Sequence, residues 1–176
     1  MNSEFDIKSI KSEDRNHLLQ LARLAENSER FEDMCAIMKR VISLAPNINM
    51  DERNLLSIAY KNAVGSRRTS WRAISSELEA APEGAVRADM EKYKAVVEKE
   101  LHSKCHEVLE VIEKNILPDF DKENAEGHIY FLKMAADYYR YLAETGQDEG
   151  KKTVEYYKKA YEIAEKSLVK THPTKL

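Results

Sequence analysis

RNLLSIAYKNAVGSRRTSWRAISS, residues Arg53–Ser76, is the stretch that decides how the chain reads. It has the spacing of one amphipathic helix carrying Lys61, Arg68 and Arg72 at intervals of seven and four. At about 100° per residue, those intervals return the three side chains to nearly one angle. Gly65 falls in the same column, so no side chain stands between Lys61 and Arg68. Like charges at this spacing cost a helix a few tenths of a kcal/mol per pair. A helix face that accepts this cost is a candidate anion site, and a dianionic group such as a phosphate on a peptide suits it.

The rest of the chain extends the helical reading. Its 176 residues are 43% hydrophobic and 34% charged, with five Gly and four Pro. That composition predicts one globular domain rich in helix, over 13–176, behind a polar leader at 1–12. The formal net charge of −3 excludes a broad basic field for nucleic acid, so anion binding must be local. Cys35 and Cys105 lie too far apart in sequence to form a disulfide framework, and a reduced, cytoplasmic compartment is expected. No apolar run approaches the ~18 residues of a membrane span.

Six helices are expected, at 13–27, 29–44, 51–80, 86–116, 126–144 and 152–169. Asp51 is expected to open the third, and Pro118 to follow the fourth. Short connections imply antiparallel neighbours, hence an all-α antiparallel array. The last two helices faintly suggest a tetratricopeptide pair through Ala160, Tyr161 and Ala164.

The fifth helix carries a second polar face. In FLKMAADYYRYLAE, from Phe131, Lys133, Asp137 and Arg140 recur at four and three, with Tyr141 beside Arg140. Asp137 can orient a neighbouring cation, and the Tyr141 hydroxyl is a further donor. If this face turns toward that of the third helix, Lys61, Arg68, Arg140 and Tyr141 converge on one phosphate. His102, Cys105 and His106 share a helix face, but no fourth ligand accompanies them and Cys105 sits on the apolar stripe, so no metal site is expected. No catalytic arrangement of Ser, His and Asp and no carboxylate pair stands out. Neither an enzyme nor a cofactor is expected.

RNLLSIAYKNAVGSRRTSWR and YFLKMAADYYRYLAE resemble the two signature regions of the 14-3-3 proteins. The resemblance implies a dimeric all-α adaptor that binds phosphoserine or phosphothreonine peptides on client proteins, without catalysis. It assigns the phosphate to Lys61, Arg68, Arg140 and Tyr141. It puts Lys133 in the same groove and Asp137 beside the basic cluster. It implies a dimer surface of Leu24, Ser28, Arg30, Ser70, Ile74, Tyr93 and Glu100, with Arg30 and Glu100 as an inter-subunit ion pair. The dimer can be a homodimer or a heterodimer with related subunits. Val96 stands where many members carry a lysine that pairs with the equivalent of Asp33.

The family pattern continues for three helices beyond the segment matching Thr171, His172 and Pro173. This implies a groove left incomplete by residues 1–176, and part of Tyr157, Tyr161, Ala164 and Leu168 exposed on the sixth helix. Two other readings accompany the adaptor. One is a dimerisation fragment that pairs with full-length subunits, and the other is a generic helical-repeat scaffold.

Overall fold

The structure, a computed structural model, describes residues 14–119 and 124–171. The expected leader at 1–12 and the Thr171-His172-Pro173 segment beyond Thr171 lie outside the described residues, as does the side chain of Leu168. The architecture is all-α, with six α-helices and no strand among the described residues. They are α1 (Arg15–Asn27), α2 (Phe31–Leu44), α3 (Met50–Ala80), α4 (Ala85–Glu110), α5 (Ala125–Glu144) and α6 (Gly150–Thr171). The chain forms two compact units, Met1–Lys104 and Cys105–Leu176.

In the first unit, α1 packs on α2, and α2 on α3. Asp14 caps α1, its carboxylate accepting from the Asn16 amide at 2.9 Å. Leu18, Ala22 and Ala25 form the buried stripe. It meets Met34, Ile37, Met38 and Val41, which recur on α2 at three and four and are buried. Glu29, between α1 and α2, takes a left-handed backbone at φ 55°. That conformation costs a non-glycine residue roughly 1–2 kcal/mol and turns the chain within three residues.

The start of α3 differs from expectation. Asn49, not Asp51, is the cap, because it forms a reciprocal capping box with Glu52. The Asn49 side chain accepts from the Glu52 amide at 3.0 Å, and the Asn49 amide donates to the Glu52 carboxylate at 2.9 Å. Glu52 is itself buried and receives both Nε and Nη2 of Arg15, at 2.6 and 2.8 Å. The remaining Arg15 donors reach the carbonyls of Val41, Ala45 and Asn47. One guanidinium thus ties α1, the end of α2 and the start of α3 together.

In the second unit, α5 packs on α6. The fourth helix does not run as α-helix to Ile116. It widens into a π-helical turn over Val111–Ile116, followed by a 3-10 turn at Leu117–Asp119. Pro118 lacks an amide, and its ring crowds the carbonyl four residues back in an α-helix. The wider turn relieves that crowding, with the Leu117 amide donating to the carbonyl of Ile112. The turn presents Glu113 to two tyrosines. Tyr139 on α5 donates to Glu113 Oε1 at 2.5 Å, and Tyr156 on α6 donates to the same oxygen. Tyr138 and Tyr139 are both buried, as core aromatics.

Candidate functional site

On α3, Lys61 and Arg72 are exposed and Arg68 is half-buried. A Cβ added at Gly65 would meet nothing within 4 Å, so open space rather than crowding surrounds that position. Leu55, Leu56, Ala59, Tyr60, Ala63 and Val64 anchor the first half of α3 in the core. From Gly65 to Glu77 no residue is buried. The cationic column therefore runs from the buried half of α3 into a more exposed half, which is tied to α4 by the Trp71 indole donating to Glu98 at 3.0 Å. Its neighbour Arg67 has a different task. Its Nη1 donates to Glu32 at 2.6 Å and to the Ala63 carbonyl at 2.8 Å, and its Nε lies 3.6 Å from Glu100. Lys104 holds Glu32 from the other side at 2.9 Å. Burial pushes the Glu32 carboxyl up, but Lys104 and Arg67 outweigh it and the net shift is downward. Sequence spacing alone did not separate this structural arginine from Arg68.

Asp137 Oδ1 accepts from Arg140 Nη2 at 3.2 Å and from the Tyr157 hydroxyl at 2.5 Å. The Arg140 guanidinium lies over the Tyr141 ring, 5.2 Å from its centroid, and the Tyr141 ring meets Tyr138 edge-on at 5.6 Å. A guanidinium over an aromatic face is attracted by the ring quadrupole and loses rotational freedom. Arg140 is thus fixed in direction by an acid and a ring, while its side chain remains 57% exposed. Lys133, two turns before Arg140, is exposed. Lys133, Asp137, Arg140 and Tyr141 therefore share one face, as their spacing predicts.

Tyr157 was expected to be partly exposed, and it is. It is half-buried, and its hydroxyl is pushed up to about 12, by burial first and then by the bond to Asp137. Tyr161 is exposed, as expected, and Ala164 is half-buried. Burial and then Glu113 push the hydroxyls of Tyr139 and Tyr156 upward as well. The contact between Tyr157 and Asp137 joins positions 20 apart on different helices, so no spacing within one helix could announce it.

The residues expected at a dimer surface are largely exposed. Leu24, Tyr93 and Val96 are more than half exposed, Ser28, Arg30, Ser70 and Glu100 are exposed, and Ile74 is half-buried. Ser70, Tyr93, Val96 and Glu100 line an open groove of about 720 Å³ in the first unit. Within one chain, Arg30 pairs with Asp33, the acid left without a lysine at position 96. Cys105 is fully buried, consistent with a core role. No helix among the described residues is long and apolar enough to cross a membrane.

Comparison with known proteins gives a consistent result. A family model described as "14-3-3 protein" matches residues 21–176. The chain is 43% identical over 172 residues to 14-3-3 protein zeta of Bombyx mori, an alignment covering 94% of this chain and 68% of that protein. It is also 43% identical over 171 residues to human 14-3-3 protein eta, covering 93% of this chain and 70% of that protein. The match to 14-3-3 protein eta of Mus musculus has the same extent and identity.

Proposed function

The chain belongs to the 14-3-3 family, and from that premise we propose that it binds phosphoserine or phosphothreonine peptides of client proteins as a dimeric cytoplasmic adaptor. Membership also places it with adaptor and scaffold proteins rather than enzymes. The proposed phosphate ligands are Lys61 and Arg68 on α3 and Arg140 and Tyr141 on α5, with Lys133 and Asp137 beside the latter pair.

The observation that carries this reading is the state of Arg140. Its guanidinium is aimed by Asp137 and Tyr141 yet keeps most of its surface in water. A cation used only for structure is consumed by its neighbours. This one is oriented and left available, which is what a planar fork needs to grip a phosphate. Each charge-assisted hydrogen bond contributes about 1.5–3 kcal/mol, so two or more make the phosphate decisive. The test is a titration of residues 1–176 with a labelled phosphoserine peptide and its unphosphorylated counterpart. A preference of about a hundredfold or more is expected. Equal affinity sinks the proposal.

The dimer rests on the exposed apolar side chains of Leu24, Tyr93 and Val96, whose burial is worth about 25 cal/mol per Å². The resemblance pairs α1 of one subunit with α3 and α4 of the other. Sedimentation velocity should return a dimer for the wild type and a monomer for a Leu24→Glu, Tyr93→Glu double variant. A monomeric wild type at every accessible concentration contradicts this part.

A further inference from the structure

The Asp137 oxygen that accepts from Arg140 also accepts from the Tyr157 hydroxyl. An undivided carboxylate three residues from an arginine closes on it, and then competes with any incoming phosphate for the same N–H groups. Here Arg140 makes one contact of 3.2 Å to Asp137, at the long end of the hydrogen-bond range. The Tyr157 contact is the shorter, at 2.5 Å. The hydroxyl holds the carboxylate still and takes up part of its accepting capacity. Its adjacent residue on α6, Tyr156, does something separate, since its hydroxyl goes to Glu113 in the π-helical turn.

We infer that Tyr157 is a positioning residue for phosphate recognition: by sharing the Asp137 oxygen, it keeps Arg140 oriented but unclaimed until a phosphate arrives. This rests on the proposed phosphopeptide binding and deepens it. Tyr157 donates to Asp137, and its hydroxyl also acts electrostatically on the Arg140 guanidinium.

The experiment is a thermodynamic cycle on the whole chain, read by phosphopeptide titration. Tyr157→Phe should weaken binding about three- to tenfold, because Asp137 then competes undivided for Arg140. In an Asp137→Asn background the same change should have no effect. Tyr156→Phe removes the neighbouring hydroxyl, from Glu113 instead, and should leave affinity unchanged. An unaltered affinity for Tyr157→Phe overturns the inference. So does a loss that persists in the Asp137→Asn background, or an equal loss for Tyr156→Phe, since either indicates a general effect on the docking of α6.

A second readout needs no peptide. The Arg140 Nε signal in nitrogen NMR should shift in Tyr157→Phe and stay put in Tyr156→Phe. If the wild type shows no preference for phosphorylated peptide, the proposed function fails, and the positioning inference is decided by this signal. An unmoved Arg140 signal in Tyr157→Phe overturns it.

Discussion

Two arginine–carboxylate pairs in this chain are built from the same groups and differ in almost every physical respect. Arg15 meets a buried Glu52 through two nitrogens and spends its other donors on three carbonyls. Arg140 meets a half-buried Asp137 through one nitrogen at 3.2 Å and lies over a tyrosine ring. The side-chain exposures are 24% and 4% for the first pair, against 57% and 42% for the second. The first pair has saturated its donors around a buried carboxylate, so it can only hold helices together. The second has been oriented without being saturated, so it can exchange water for a ligand. What separates a structural arginine from a binding arginine here is how many of its donors the fold has already used.

The largest effect that could break this contrast is on stability. Arg15→Ala leaves the buried Glu52 without its guanidinium, and about 3–5 kcal/mol of unfolding free energy should disappear. Denaturant unfolding followed by circular dichroism measures it. A loss near that of an exposed pair, below about 1 kcal/mol, would put Arg15 in the same class as Arg140. Next in size is Arg140→Lys, which keeps the charge and loses the planar fork and the stacking on Tyr141. Phosphopeptide affinity should fall about tenfold while unfolding free energy moves by less than about 0.5 kcal/mol. Calorimetric titration beside the same unfolding assay checks both halves.

The pairs should also separate by pH. Arg15 is the main cause of a Glu52 carboxyl held below its ordinary 4.5, with burial opposing and the Asn49 amide assisting. A carboxyl depressed by folding contributes stability that is fully present above the unfolded value. That contribution is lost as pH falls through the folded value. Unfolding free energy should therefore decline with acidification below about pH 4.5, and the decline from Glu52 should shrink or reverse in Arg15→Ala, where burial is opposed only by the Asn49 amide. Phosphopeptide binding should weaken in a higher window, near pH 6, where the phosphate loses its second charge. Coincident windows for stability and binding would show that the titrations are not separate.

Much of this was legible in the sequence for physical reasons. The apolar repeat of Met34, Ile37, Met38 and Val41 located α2 to within two residues, and intrahelical spacing put Lys133, Asp137 and Arg140 on one face. Contacts between helices were not legible. Glu52 and Arg15 are 37 residues apart, and nothing in an arginine's sequence neighbourhood says how many donors the fold will consume. The Asn49 cap escaped because Asp51, Glu52 and Asn49 are all good residues for a helix start, and only the reciprocal bond selects among them. The π-helical turn escaped because Val108, Ile112 and Ile116 continue the α-helical period straight through it.

The central claim is that Arg140 is available to a phosphate where Arg15 is not, and one titration addresses it most directly. Phosphorylated and unphosphorylated forms of one peptide would be titrated against wild type and Arg140→Ala at matched helicity. The wild type should prefer the phosphorylated form by about a hundredfold or more, and Arg140→Ala should remove most of that preference without unfolding the chain. An Arg140→Ala variant that still discriminates as the wild type does would contradict it.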